Sequence, residues 1–180
     1  GGAWLVLHIC EHYRYTLDKE FLKEYYPILD DLALFFVDFL IEDSQGYLVT
    51  CPSVSPENRF ITEEGYDTPI CAGPAIDNQI IRALMRAVLE GAQILQKKNP
   101  NEAKYRKILM KLRPDGIDSR GRLLEWAKEE KELTPDMGHV SHLWAVYPGD
   151  EINWKETPNL LKAAKKSVEA RRESGCNCIG

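Results

Sequence analysis

Three polar clusters carry the residue types that do chemistry: Pro52-Ser53-Val54-Ser55-Pro56-Glu57-Asn58, Gly73-Pro74-Ala75-Ile76-Asp77-Asn78-Gln79 and Gly138-His139-Val140-Ser141-His142-Leu143. Carboxylates, amides, histidines and indoles suit the recognition and hydrolysis of a carbohydrate. Sugar hydroxyls bond to acids and amides, and the C–H faces of the ring pack on aromatic rings such as Trp4, Trp126 or Trp144. Breaking a glycosidic bond takes one carboxylic acid to protonate the departing oxygen and a second group to activate water or attack the anomeric carbon.

Each cluster also has a plainer account. Asp77 could cap a helix N-terminus with its carboxylate, and Glu57 could be a solvated loop acid. His139 and His142, spaced i and i+3, would share one face of a helix and could bind a metal. No third ligand stands at a characteristic spacing, however, and HEXXH is absent, so hydrogen bonding to structure or substrate is the expected role and neither a metal nor a cofactor is expected. A Ser-His-Asp hydrolase is disfavoured because there is no GxSxG elbow, and a phosphate loop is also missing.

The elements that must position these clusters read mainly as helices. Trp4, Leu7, His8, Glu11, His12 and Tyr15 recur at spacings of three and four, predicting a helix that ends near Thr16. Asp18 then stands as an N-cap before an apolar stripe from Phe21 to Leu40, with Pro27 predicting a kink or two abutting helices. Gly46 and Tyr47-Leu48-Val49-Thr50 predict a turn and a brief extended piece. The Pro- and Gly-rich stretch from Pro52 to Pro74 reads as a long loop. A third helix runs from Asp77 to a stop at Asn99-Pro100, and a fourth from Glu102 to Leu112. Leu123 to Trp126 reads as a short extended or turn element and Thr134 to Gly138 as a second polar loop. Helices are expected from His139 to Tyr147 and, with Thr157-Pro158 as N-cap and N1, on to Arg172. Strand should fall under about a tenth of the chain, because sustained period-2 runs are lacking. Helix pairs whose loops gather polar and aromatic residues at one end suggest a toroid or α-solenoid more than a four-helix bundle, and no fixed-period repeat marks an array.

Composition removes several function classes. The chain has 180 residues, of which 44% are apolar and 28% charged, as in a folded globular protein. Its net charge of −5 leaves no broad basic field for a phosphate backbone, so nucleic acid is not expected as a partner. No run approaches the roughly 18 apolar residues that a membrane span requires, so membrane insertion is not expected. Five cysteines, Cys10, Cys51, Cys71, Cys176 and Cys178, are an odd number without a CxxC pair, which disfavours a complete disulfide framework or a zinc knuckle. The start Gly1-Gly2 lacks an initiator Met and reads as an internal cut.

At these residues the sequence resembles a known family. The runs GGAWLVLHICEHYRYTLDKEFL, GYLVTCPSVSPEN, GPAIDNQIIRAL, RLLEW and HVSHLWAVYPGDEI are similar in order to glycoside hydrolase family 95, the inverting α-L-fucosidases. The resemblance covers Gly1 to about Arg172, and SVSPEN with HVSHL is its specific part. It implies a mainly α fold, a partial (α/α)6 barrel or six-hairpin toroid, with residues 1–180 a single segment forming about half of that catalytic domain and no second domain. It implies Glu57 as the proton donor and His139 as a sugar-binding residue. Asp77 and Asn78 would belong to the rim or wall of the site, with Asn58, His142, Trp4 and Glu125 as further substrate-binding candidates. The family's base, an Asp helped by paired Asn residues that orient the attacking water, aligns outside residues 1–180. Two departures matter: Gly138 stands where many members have a basic residue, and the tail from Ser174 to Gly180 differs from the usual continuation.

The function implied is release of terminal L-fucose, α-1,2-linked, from a fucosylated oligosaccharide or glycan, with inversion. The remainder of the parent catalytic domain would be the structural partner. An α-L-galactosidase is the close alternative, since a pocket that tolerates a methyl cannot strongly exclude an added hydroxyl. A noncatalytic glycan-binding or structural remnant lacking the base is the alternative from another class. Localisation stays open: the family is often secreted or periplasmic, and any signal peptide would precede Gly1.

Overall fold

A computed structural model describes residues 1–133 and 139–173. The predicted loop Thr134 to Gly138, the departure at Gly138, Cys176, Cys178 and the tail from Ser174 lie outside the described residues. The described part is mainly α, with five α-helices and seven two-residue strands, so strand content falls under the tenth expected from the sequence. It divides into two compact units, residues 1–48 with 80–112, and residues 49–79 with 113–180.

The first unit opens with α1 (Gly2–Thr16), which closes on Leu17 in the left-handed conformation at φ 57°, its N–H donating to the Tyr13 carbonyl. Asp18 then caps α2 (Lys19–Phe39), its carboxylate accepting from the Phe21 N–H at 3.0 Å. That satisfies one of the N–H groups a helix start leaves without an internal partner. Pro27 lies inside α2, which runs as one helix and not as two abutting ones. A hairpin follows, Ile41–Glu42 (β1) and Leu48–Val49 (β2), turned at Gly46 with φ 85°.

α3 (Ala75–Ile94) belongs to this unit from Ile80 onward, and α4 (Glu102–Lys111) completes it. The core is built from Leu22, Tyr26, Leu29 and Ala33 of α2, Leu84, Met85 and Val88 of α3, and Tyr105 and Ile108 of α4. α3 ends at Ile94, short of the predicted stop at Asn99. The Asn99 amide instead turns inward, donating to Tyr26 Oη and Asp30 Oδ1, both at 2.7 Å.

The second unit replaces the predicted long loop with small antiparallel pairings. Ser53–Val54 (β3) pairs with Ile70–Cys71 (β6), and Phe60–Ile61 (β4) lies between Asp67–Thr68 (β5) and Lys131–Glu132 (β7). The sequence concealed these because two-residue strands are too short to show alternation. The helix expected from His139 to Tyr147 is only a 3₁₀ turn, Ser141–Leu143, followed by further turns. α5 (Pro158–Glu173) starts at the predicted proline, but the Thr157 hydroxyl accepts from the Asn153 N–H and donates to the Glu151 carbonyl. Leu123, Leu143, Ala145, Ile152, Ala163 and Ala164 form the core here.

Three cysteines among the described residues are free thiols, Cys10, Cys51 and Cys71. Burial pushes the Cys10 thiol up to about 11 and the Cys71 thiol up to about 12, which keeps both protonated and poorly nucleophilic. No described helix is long and apolar enough to cross a membrane.

Candidate active site

The candidate residues other than Trp4 all lie in the second unit. Glu57 follows β3 in an irregular turn held by the Asn58 N–H donating to the Ser55 carbonyl at 2.8 Å. Its side chain is 74% exposed, and Oε2 stands 3.5 Å from His139 Nε2. The half-exposed imidazole of His139 has its other ring nitrogen, Nδ1, without a protein partner among the described residues. An accessible carboxyl group beside an accessible imidazole offers a proton donor and a hydroxyl-binding group to one ligand.

Asn58 points the other way. It is 4% exposed, and its amide nitrogen donates to Glu125 Oε1 and, at 3.0 Å, to the backbone carbonyl of His139. The donor group of Asn58, expected to bind sugar, is used within the protein here. Glu125 is also interior, at 6% exposure. Besides Asn58, its Oε1 accepts from Ser55 Oγ at 2.7 Å, and its Oε2 accepts from Arg171 of α5 at 2.9 Å. Burial pushes its carboxyl above the usual carboxylate range, with Glu132 adding to the rise, while Asn58, Ser55 and Arg171 hold the rise in check.

His142 is buried at 3% exposure, with Nδ1 3.5 Å from Glu125 Oε2. Desolvation, reinforced by the Arg171 and Arg122 charges, pushes its imidazole down to about 3, so the ring is neutral at physiological pH. The shared helix face expected for His139 and His142 does not exist. A 3₁₀ turn begins after Val140 and puts one ring at the surface and the other in the core. Glu125 and His142, expected to bind substrate, are thus both interior groups here.

Asp77 lies within the first turn of α3, not at its N-cap. Its Oδ2 accepts from Thr50 Oγ1 at 2.6 Å and Ser53 Oγ at 2.5 Å, tying the helix start to the strands before the acid. An acid in the first turn is also favoured by the helix dipole. Asn78 is buried, its amide donating to the Gly73 carbonyl at 3.1 Å while Oδ1 has no partner among the described residues. Gly73 permits this tight passage: φ is 57°, and a Cβ there would meet Val49 Cγ1 at 2.7 Å. Trp4 is a partly exposed residue of α1 in the first unit. Trp126 and Trp144, offered as sugar platforms, are buried at 6% and 5% exposure, so neither presents an open ring face. Phe60 packs against Trp126 with ring centroids 5.1 Å apart.

Sequence reasoning missed the residues that hold the site from behind. Gln79 Nε2 donates to Asp115 Oδ1 and the His142 carbonyl, and its Oε1 accepts from the Ala145 N–H. Ser141 Oγ donates to the carbonyl of Pro56, next to Glu57 in the chain. Arg171 bridges Glu125 and Glu132, and Arg122 continues the alternation from Glu132 to Asp118. Arg171 left a legible trace: it shares a four-residue spacing with buried Ala163 and Ser167, placing a charge within the inward stripe of α5. Among the described residues no group of three or more His, Cys, Asp or Glu could hold a metal ion.

The chain matches the family model described as the glycosyl hydrolase family 95 catalytic domain over residues 1–177. It is 37% identical over 179 residues to Alpha-L-fucosidase 2 of Arabidopsis thaliana, covering 97% of this chain and 21% of that protein. It is 29% identical over 157 residues to Probable alpha-fucosidase A of Aspergillus niger, covering 82% of this chain and 19% of that protein. The chain thus spans about a fifth of the length of these curated relatives.

Proposed function

This chain belongs to the glycosyl hydrolase family 95 catalytic-domain family, and from that premise we propose that it supplies the proton-donating side of an α-L-fucosidase active site. The substrate is a fucosylated glycan with a terminal α-1,2-linked L-fucose, cleaved by single displacement with inversion. The observation that carries the reading is the exposed Glu57 carboxyl 3.5 Å from the half-exposed His139 ring, on a turn otherwise tied into the interior. Fucosidase names on both relatives support the sugar class.

In this mechanism Glu57 delivers its proton to the glycosidic oxygen as the bond breaks, and His139 binds a sugar hydroxyl. Water attacks the anomeric carbon from the opposite face, activated by a base contributed from outside residues 1–180. The acid and base would stand roughly 6.5–9.5 Å apart to leave room for that water. The five helices are then part of an (α/α)6 toroid, about half of its circuit, and the rest of the catalytic domain is this segment's partner. Asp77 and Asn78 stiffen the wall of the site.

The test is Glu57→Gln in the complete protein carrying this segment. The amide keeps the shape and can still hydrogen bond the glycosidic oxygen, but it has no proton to deliver. A loss of roughly 10²–10⁴-fold in kcat is expected on a natural glycan, and a much smaller loss on α-L-fucosyl fluoride, whose leaving group hardly needs protonation. A loss under about threefold on the glycan, against the usual size of an acid contribution, overturns the assignment and makes Asp77 the next acid to test.

A further inference from the structure

Among the described residues the Glu57 side chain approaches only His139, so its aim must be set by its neighbours. Two of them do so. The Asn58 amide is buried and bonds simultaneously to the Glu125 carboxylate and the His139 backbone carbonyl. Ser141 Oγ bonds to the Pro56 carbonyl on the other side of Glu57. The residues flanking Glu57 are thus each latched to the 139–141 strip that carries the imidazole, and Asn58 is further anchored to a carboxylate held by Ser55 and Arg171.

We infer that Asn58, supported by Glu125 and Ser141, is the positioning residue of the proton donor: it fixes the distance and direction between Glu57 and His139. The inference rests on the reading of Glu57 as the acid. Its physical basis is that proton transfer demands hydrogen-bond reach along a defined line, so a displacement of about 1 Å can cost on the order of 10²-fold. A glutamate on an untethered loop would shift with its backbone and lose that alignment. The arrangement also accounts for a buried amide at a position where sequence alone suggested a sugar ligand.

A residue that acts through Glu57 has a signature that a merely structural residue lacks. In the complete protein, Asn58→Ala should lower kcat on the natural glycan by about 10–10²-fold and on α-L-fucosyl fluoride by less than about threefold, with KM little changed. In the Glu57→Gln background it should cost no more than about twofold further, because residues acting as a unit are not additive. Ser141→Ala, which removes one hydroxyl from a partly exposed turn, is the variant least able to disturb folding, and it should show the same preference for the glycan at a smaller size. Equal losses on both substrates, or full additivity with Glu57→Gln, would overturn the positioning role. If Glu57→Gln alone leaves the glycan rate intact, the acid assignment itself has failed and this role falls with it, a result visible without any change at Asn58.

Discussion

The Arg171 guanidinium donates to Glu125 Oε2 at 2.9 Å, so the last helix of the described chain grips the carboxylate from which the Ser55 to Asn58 turn is hung. Its other end donates to Glu132 Oε2 at 2.8 Å, and both residues of the first pair are more than nine-tenths buried. Buried pairs of this kind add modest net stability, but removing one partner leaves a charge without compensation. The function of the pair is accordingly best read as fixing geometry.

Arg171→Met should destabilise the protein by about 3–5 kcal/mol, the usual cost of orphaning a buried charge, read as a shift in urea-denaturation midpoint at pH 7. Adding Glu125→Gln to that variant should recover part of the loss, since the amide is cheaper to bury than the carboxylate. A single-variant loss under about 1 kcal/mol, the size of a surface pair, would show that the ladder is dispensable.

His142 gives a pH dependence whose sign follows from its depressed imidazole. The folded ring stays neutral down to about 3 while the unfolded ring protonates near its ordinary value of 6.5. Between those values the unfolded state binds more protons, so stability is present in full above 6.5 and is lost as pH falls, by up to about 1.4 kcal/mol per pH unit. Glu125, with a raised carboxyl, works oppositely, its contribution being full below the ordinary carboxylate range and lost as pH rises. The difference in unfolding free energy between the parent and His142→Gln isolates the histidine. That difference should fall steadily from pH 7 to pH 4, and a flat difference would refute the buried neutral ring.

Gly73 and Gly65 make a matched pair. Both have positive φ, 57° and 87°, but a Cβ at Gly73 would lie 2.7 Å from Val49 Cγ1 and one at Gly65 would meet nothing within 4 Å. Gly65→Ala should therefore cost about 1–2 kcal/mol of backbone strain alone. Gly73→Ala should add about 1–3 kcal/mol for overpacking. Thermal melts of the two variants decide it, and equal losses would mean that Val49 moves aside freely.

The 180-residue chain by itself should hydrolyse 2′-fucosyllactose only at background, because the water-activating base lies elsewhere in the proposed reading. Exposed apolar side chains such as Phe35 at 50% and Ile28 at 48% on α2 should also favour self-association in isolation. Robust turnover by the purified chain would place the base within residues 1–180.

Local physics made much of the fold legible. Asp18 as a cap, Pro158 opening α5 and the apolar stripes of α2 and α3 are written in neighbouring residues, because helix spacing and capping act over three or four positions. The SVSPEN and HVSHL strings marked Glu57 and His139, which the fold brings to 3.5 Å across 82 positions of chain. What neighbours could not say is which polar side chains face inward. Asn58, Glu125 and His142 read as sugar contacts because their chemistry suits sugars, yet all three are buried: Asn58 and Arg171 donate to Glu125, and His142 Nδ1 lies 3.5 Å from it. The His139 to His142 segment shows the same limit: a helical spacing was present, but Gln79 takes the His142 carbonyl and the Ala145 N–H, competing with the bonds a continuing helix would need. Local periodicity proposes a helix, and tertiary hydrogen bonding from distant residues decides whether it forms.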